Sequence, residues 1–120
     1  MSNIRVFLVD DTAAVRHILT QILEEDPDIV VVGTAADGRQ GLDRLHRVEA
    51  DLLILDVEMP GMNGYEVCRQ LKADAATRNC SVIIVTSHSS VDHEVAALEA
   101  GAADFITKPL NAPLVRARVK

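Results

Sequence analysis

Short apolar runs alternate with amphipathic segments from one end of the chain to the other. Five runs are short, rich in β-branched residues and without regular polar alternation, which is typical of strands buried on both faces of a parallel sheet. These runs are Ile4–Val9, Ile29–Val32, Leu52–Leu55, Val82–Val85 and Ala103–Ile106. The pattern therefore predicts five β-strands.

The segments between these runs carry apolar residues at intervals of three and four, which indicates amphipathic helices. Four apolar stripes are visible: Val15, Ile18, Leu19 and Ile22; Leu42, Leu45 and Val48; Val67 and Leu71; and Val91, Val95 and Leu98. A fifth helix is predicted to begin after Asn111, whose side chain can cap it. We expect residues 1–120 to form one domain whose last helix is truncated at Lys120.

Strands that alternate with helices predict an α/β fold, a doubly wound five-stranded parallel sheet with five helices on both faces. The flavodoxin-like strand order 2-1-3-4-5 is the order we expect. It makes the first and third strands neighbours at the point where the strand order reverses, which is where open α/β sheets bind ligands.

Composition narrows the classes of function. Lys and Arg number 12 against 18 Asp and Glu, giving a net charge of −6. The sequence shows no clustered basic face, which argues against nucleic-acid binding. The two cysteines, Cys68 and Cys80, are too few for a disulfide scaffold or a zinc site, and we expect both to be reduced. No signal peptide or long apolar run is present, so we expect a cytoplasmic protein without a membrane partner.

Polar residues follow the predicted strands where each one ends. Asp10 and Asp11 follow the first strand, Asp56 the third, Thr86 the fourth, and Lys108 the fifth. Two carboxylates about 4 Å apart repel each other by about 1 kcal/mol in water and about 4 kcal/mol at an effective dielectric near 20. The three acids therefore need a hard divalent cation, for which we predict Mg²⁺, and the Lys108 ammonium supplies further positive charge.

Several ordered motifs resemble the receiver domain of two-component response regulators, the CheY-like superfamily. They are Val9-Asp10-Asp11, the block from Leu53 to Gly64, the hydroxyl of Thr86 and Lys108-Pro109. The resemblance covers the whole chain and implies a phosphoprotein that takes part in phosphorelay signal transduction.

The resemblance also implies roles for individual residues. Asp56 would accept a phosphoryl group from a sensor histidine kinase or phosphotransfer protein and form an aspartyl phosphate. Asp11, Asp56 and the backbone carbonyl of Glu58 would bind Mg²⁺, and Asp10 would act through a water molecule.

The resemblance further implies that Lys108 would pair with the phosphoryl oxygens and that Thr86 would donate a hydrogen bond to one of them. Thr86 and Phe105 would form the switch, although Phe105 has no hydroxyl where Tyr is common and could equally be a plain core residue. The fourth helix, fifth strand and fifth helix would then form the face for an output domain, a downstream protein or a phosphorylation-dependent homodimer.

Two further positions are predicted to tune the lifetime of the aspartyl phosphate. Glu58 lies two residues after Asp56, and His88 lies two residues after Thr86. In the family such side chains flank the path of the attacking water. The alternative is that both are solvated loop residues.

Two other functions are weighed against the signalling switch. A phosphatase of the haloacid-dehalogenase type also uses an aspartyl phosphate, but it needs an Asp-x-Asp pair where this chain has Asp10-Asp11-Thr12. The second alternative is a binding module that is never phosphorylated. We expect no enzymatic activity beyond the domain's own phosphorylation and autodephosphorylation.

Overall fold

The computed structural model describes residues 3–59, 61, 63–87 and 91–120 and shows strands and helices alternating along the chain. The elements are β1 (Ile4–Val9), α1 (Ala13–Glu24), β2 (Ile29–Ala35), α2 (Gly38–Leu45), β3 (Leu52–Asp56), α3 (Gly64–Ala73), β4 (Ser81–Thr86), α4 (Val91–Glu99), β5 (Asp104–Thr107) and α5 (Ala112–Val119). The predicted alternation of five strands and five helices is confirmed.

The five strands form one parallel sheet in the order β2-β1-β3-β4-β5. β1 and β3 are direct neighbours, with Val9 opposite Leu55. The flavodoxin-like order is therefore confirmed, and the carboxyl ends of β1, β3 and β4 lie side by side.

The sheet is covered on both faces, which is why its strands are almost continuously apolar. All five residues of β3 are buried, and alternate residues belong to two separate clusters. Leu53 packs in the cluster that contains Val67 of α3, whereas Ile54 packs in the cluster that contains Leu19 of α1 and Val115 of α5. Helices thus lie on both faces of the sheet, as predicted.

Short polar side chains begin three of the helices. Asp37, Asn63 and Asn111 each accept a hydrogen bond from the backbone N–H three residues later, at 2.8 to 3.0 Å. The predicted cap of the last helix by Asn111 is confirmed. After α4, Gly101 has a φ of +97°, a left-handed conformation that L side chains rarely adopt.

Two apolar stripes behave differently from the predicted pattern. α2 ends at Leu45, and Val48 lies beyond it, because His46 caps the helix and its ring contacts the Leu42 carbonyl at 2.7 Å. On α4, the side chains of Val91, Val95 and Leu98 face solvent, with 73%, 44% and 59% of their surface exposed.

α4 packs on the sheet through the small residue Ala97, which is 1% exposed. Apolar periodicity detects an apolar stripe but does not show whether the stripe packs on the core or stays exposed to solvent. Across the described ranges, no helix has the length and apolar character needed to cross a bilayer.

Candidate functional site

Three carboxylates meet where β1 and β3 end. Asp10 follows β1 directly, and Asp56 is the last residue of β3. Asp10, Asp11 and Asp56 each offer an oxygen, and these oxygens lie within 4.8 Å of one another. The strand order causes the convergence, because it makes β1 and β3 neighbours.

Two of the three acids are removed from solvent. Asp10 and Asp56 are each 2% exposed, whereas Asp11 is exposed. Burial raises the pKa of both buried carboxyl groups, and the negative charge of Asp10 raises the pKa of Asp56 further. Two backbone hydrogen bonds partly oppose this effect by lowering the pKa values. The Thr12 N–H donates to Asp10 at 2.9 Å, and the Glu58 N–H donates to Asp56 at 3.0 Å.

Lys108 and Thr86 border the carboxylates on the side of β4 and β5. The ammonium Nζ of Lys108 lies 4.0 Å from Asp56 Oδ1. The Lys108 backbone N–H donates to the Thr86 carbonyl at 2.8 Å, which fixes the segment after β5 beside the end of β4. Thr86 is 2% exposed. A cation and a hydroxyl therefore lie beside the acids, at the same edge of the sheet.

Close packing fixes the backbone on which Asp56 stands. A Cβ atom at Gly64, the first residue of α3, would lie 2.6 Å from the Asp56 carbonyl oxygen and 2.7 Å from Val57 Cα. Only glycine lets the start of α3 come this close to the end of β3. On the other side, Arg16 of α1 donates to the Asp10 carbonyl at 2.5 Å.

The Glu58 side chain reaches from the loop after β3 to the end of β4. Its Oε1 accepts from the Ser87 backbone N–H at 2.6 Å and lies 3.3 Å from Thr86 Oγ1. Ser87 Oγ is 2.6 Å from both oxygens of this carboxylate. Thr86 therefore hydrogen-bonds with an anion of the chain itself.

Phe105 lies on β5 opposite Ile84, two residue pairs before the pair formed by Thr86 and Thr107. Because Ile84 and Thr86 are two residues apart in one strand, Phe105 lies on the same face of the sheet as Thr86. Its side chain is half-buried and packs against the cluster on the α3 and α4 side. This position suits a residue coupled to Thr86, and its role as a switch stays a prediction.

The structure thus brings together Asp10, Asp11, Asp56, Thr86 and Lys108, while the chemical role of each stays a prediction. The lifetime role of the Glu58 side chain and the magnesium contact of its carbonyl stay predictions too. The prediction for His88 lies outside the described residues, as do Pro60 and Met62 of the resembling motif.

Two contacts of the site are absent from the sequence-based predictions. Nothing in the spacing of acids indicated that Glu58 would hydrogen-bond with Thr86 and Ser87. The bond from Arg16 to the Asp10 carbonyl was missed as well, because the apolar stripe of α1 shows only which face packs. The position of Glu58, two residues after a buried acid, was the one available signal.

Curated relatives match most of this chain but are much longer. A protein-glutamate methylesterase/protein-glutamine glutaminase of Symbiobacterium thermophilum is 44% identical over 108 residues, covering 88% of this chain and 29% of the relative. A protein of the same name from a Nocardioides species is 41% identical over 114 residues, covering 92% of this chain and 30% of that relative. The chain thus spans less than a third of these relatives.

These relatives correct one expectation. We expected no enzymatic activity beyond the domain's own phosphorylation chemistry, and that is wrong for proteins of this kind, since the relatives are named as a methylesterase and glutaminase. The chain matches 29% of the first relative's length, so that activity is not shown for these 120 residues.

Solved structures agree with the sequence relatives. The response regulator domain of Thermotoga maritima CheB has a TM-score of 0.88 and 34% identity, covering 98% of this chain and 93% of that one. The family model described as the response regulator receiver domain matches residues 6–120. The chain therefore belongs to the response regulator receiver domain family.

Proposed function

We propose that Asp56 accepts a phosphoryl group from a sensor histidine kinase or phosphotransfer protein in a magnesium-dependent reaction. Phosphorylation would change the face formed by α4, β5 and α5. The observation that carries this proposal is a 2% exposed carboxylate beside two further acids, with a lysine ammonium 4.0 Å away. That arrangement suits an acceptor of a charged group better than a structural acid.

The acids fit the divalent cation that the family implies. Asp10, Asp11 and Asp56 offer hard oxygen donors within 4.8 Å of one another, and two of them are buried at a cost that a cation would relieve. Asp11, Asp56 and the Glu58 carbonyl would hold Mg²⁺ directly, and Asp10 would hold it through water. When bound, the ion neutralises charge on the transferring phosphoryl oxygens.

The residues of the chain supply the acceptor and the positioning. An oxygen of Asp56 attacks phosphorus and forms the O–P bond, while the P–N bond of the donor phosphohistidine breaks and its electron pair stays on the imidazole nitrogen. The Lys108 ammonium, 4.0 Å from Asp56 Oδ1, would pair with the phosphoryl oxygens. Because such transfer depends mainly on positioning and charge stabilisation, these groups account for the chemistry.

Thr86 and Phe105 are proposed to carry the signal away from Asp56. The Thr86 hydroxyl would turn toward a phosphoryl oxygen, and the phenyl ring of Phe105, on the same face of the sheet, would move into the space released. Such a change is a population shift between two arrangements of the end of β4.

The exposed apolar stripe on α4 supports the output face. Val91, Val95 and Leu98 are 73%, 44% and 59% exposed, and Leu114 of α5 is 42% exposed. β5 is the edge strand of the sheet, and its two faces belong to the clusters that contain Ala97 of α4 and Val115 of α5. Exposed apolar side chains grouped beside β5 suit binding of a protein partner. Given the names of the relatives, we propose a methylesterase or glutaminase module as that partner.

The test is covalent labelling by a small phosphodonor. The protein is incubated with acetyl phosphate or phosphoramidate and Mg²⁺, and its intact mass and sensitivity to hydroxylamine are followed. We expect one added phosphoryl group, released by hydroxylamine, in the wild type and none in Asp56→Asn.

Asp51→Asn is the matched control, because Asp51 lies at the opposite edge of the sheet and should leave labelling unchanged. The absence of any adduct at every Mg²⁺ concentration would contradict the proposal and would favour a binding module that is not phosphorylated.

A further inference from the structure

Glu58 makes short contacts with the end of β4 that the proposed transfer reaction does not use. Its carboxylate lies 2.6 Å from the Ser87 backbone nitrogen, 2.6 Å from Ser87 Oγ and 3.3 Å from Thr86 Oγ1. Contacts as short as 2.6 Å are typical of hydrogen bonds that an ionised group strengthens. The carboxylate is therefore bound to a small anion site made by the β4 terminus.

The position of that anion site matters because it adjoins Asp56. Asp56 lies opposite Val85 in the sheet, and the next two residues are Thr86, which ends β4, and Ser87, which follows it. The same Thr86 hydroxyl is the group proposed to bind a phosphoryl oxygen. An oxygen of a phosphorylated Asp56 and an oxygen of Glu58 would therefore compete for one donor.

The backbone of Glu58 allows its side chain to leave without disturbing the acceptor. The Glu58 N–H donates to Asp56 Oδ1 at 3.0 Å, independently of the carboxylate at the other end of the residue. The side chain is exposed, so it can rotate into solvent while the backbone bond stays in place.

We propose that the Glu58 carboxylate is an internal competitor of the phosphoryl group. It holds Thr86 and Ser87 in the unphosphorylated protein and leaves them when Asp56 is phosphorylated. This inference rests on the proposed function, since it concerns the same acceptor. It assigns Glu58 a positioning role through Thr86, distinct from an effect on the attacking water.

Charge acts in the same direction as the competition for donors. Asp10, Asp11 and Asp56 already place three acids near the end of β4, and a phosphoryl group adds further negative charge. Like charges at close range repel, and the phosphoryl group therefore both displaces Glu58 from its donors and pushes it away. By linkage, a phosphoryl mimic that weakens the carboxylate contact is itself bound more weakly because of that contact, so removing the carboxylate should strengthen binding of the mimic.

The experiment uses beryllofluoride, whose beryllium becomes tetrahedral when a carboxylate oxygen binds it and then has the shape of a phosphoryl group. Its dissociation constant is measured at saturating Mg²⁺ by titration of amide signals in ¹H–¹⁵N NMR spectra. The variants are Glu58→Gln, Glu58→Ala and the control Glu49→Gln. Glu49 pairs with Arg5 at the opposite edge of the sheet and has an 88% exposed side chain.

A second readout needs neither Mg²⁺ nor beryllofluoride. The Ser87 amide proton donates to a carboxylate, so its signal should move upfield in Glu58→Gln and Glu58→Ala and stay in place in Glu49→Gln. For beryllofluoride, we expect Glu58→Ala to bind at least about fivefold more tightly than wild type, the lower end of common coupling strengths between sites. Glu58→Gln should be intermediate, and Glu49→Gln should match the wild type.

The two readouts separate the possible failures. A Ser87 amide signal that does not move in Glu58→Ala contradicts the contact itself. A signal that moves while beryllofluoride binds equally or more weakly in Glu58→Ala contradicts the competition alone. If neither wild type nor any variant binds beryllofluoride, the proposed function fails, and the competition fails with it.

Discussion

Charged side chains are paired differently at the two ends of the sheet, the amino edge, where the strands begin, and the carboxyl edge, where they finish. At the amino edge, acids and bases meet at hydrogen-bond distance. The pairs are Arg5 with Glu49 at 2.7 Å and with Asp51 at 2.9 Å, His46 with Asp74 at 2.8 Å, Lys120 with Asp26 at 2.7 Å, and Arg116 with Glu25 at 3.1 Å. At the carboxyl edge, Lys108 stays 4.0 Å from Asp56, although Asp10 and Asp56 are buried.

The pKa values show the same difference. Hydrogen bonds from Arg5, from His46 and from Lys120 hold the pKa of Asp51, Asp74 and Asp26 below their usual range. Burial instead raises the pKa of Asp10 and Asp56. Charge satisfied within the fold stabilises the protein, whereas charge left unbalanced in a buried site creates affinity for a ligand.

The largest expected effect is on the reaction at the carboxyl edge. Lys108→Ala should slow phosphorylation of Asp56 by acetyl phosphate about 100-fold, the usual loss when one group that stabilises a charged transition state is removed. Time courses of intact mass measure the rate. Lys120→Ala removes an ammonium from the amino edge and should leave the rate unchanged. Equal rates for Lys108→Ala and Lys120→Ala would contradict the assigned role of Lys108.

The next effect is on the packing that supports Asp56. Gly64→Ala places a Cβ atom 2.6 Å from the Asp56 carbonyl, so the start of α3 must move. We expect a loss of about 1 to 3 kcal/mol in the free energy of unfolding, measured by urea denaturation. Backbone amide signals of residues 56 and 57 should shift in the NMR spectrum. An unchanged free energy of unfolding would show that this contact is not close in solution.

The two edges should respond oppositely to loss of an acid. Asp51→Asn breaks bonds to Arg5 and should lower the free energy of unfolding by about 1 kcal/mol at low salt. Asp56→Asn removes a buried charge near Asp10 and should raise it by about 1 kcal/mol in metal-free buffer. Urea denaturation at neutral pH measures both. A lower free energy of unfolding for Asp56→Asn than for the wild type would contradict the claim that charge at the carboxyl edge is unbalanced.

The Asp51 effect should depend on pH in a defined way. Because Arg5 lowers the pKa of Asp51 in the folded protein, the stabilisation is present above the ordinary value of 3.8. It is lost as the pH falls through the lowered value. The difference between wild type and Asp51→Asn should therefore shrink in acid. A difference that persists in strong acid would mean that it arises from packing.

The smallest effect concerns the His46 ring, which joins the end of α2 to Asp74. Asp74 and the Leu42 carbonyl raise the pKa of His46, and Asp43 adds a smaller attraction. The stabilisation is present below the ordinary His pKa of 6.5 and is lost as the pH rises through the raised value. His46→Gln should thus lower the urea midpoint at about pH 6 and change it little in alkaline buffer.

Much of the fold could be predicted because a single pattern controls it. Unalternating apolar runs require burial on both faces, and burial on both faces requires the helices that the three-to-four spacing indicates. The positions of Asp10, Asp56 and Lys108 at strand ends followed directly from that order. Helix boundaries were less secure: His46 ends α2 through a side-chain contact that no apolar pattern records.

The remaining features depend on side-chain directions that spacing does not contain. Val91, Val95 and Leu98 form a regular stripe, yet Ala97 is the α4 residue that packs on the sheet. Glu58 could be placed near Asp56 from sequence, but its contact with Ser87 arises from the geometry of two loops from different strands. Contacts between loops must be seen in the structure.

Calorimetric titration with Mg²⁺ tests the central claim most directly, because a cation should bind at the edge with unbalanced charge. Wild type and Asp51→Asn should bind one Mg²⁺ with equal affinity, whereas Asp11→Asn should bind it at least about tenfold more weakly, a loss of about 1.4 kcal/mol. At a free concentration about 100 times the dissociation constant, Mg²⁺ should stabilise the wild type by about 2.7 kcal/mol. Equal Mg²⁺ affinity in wild type and Asp11→Asn, or no binding to either, would contradict the account.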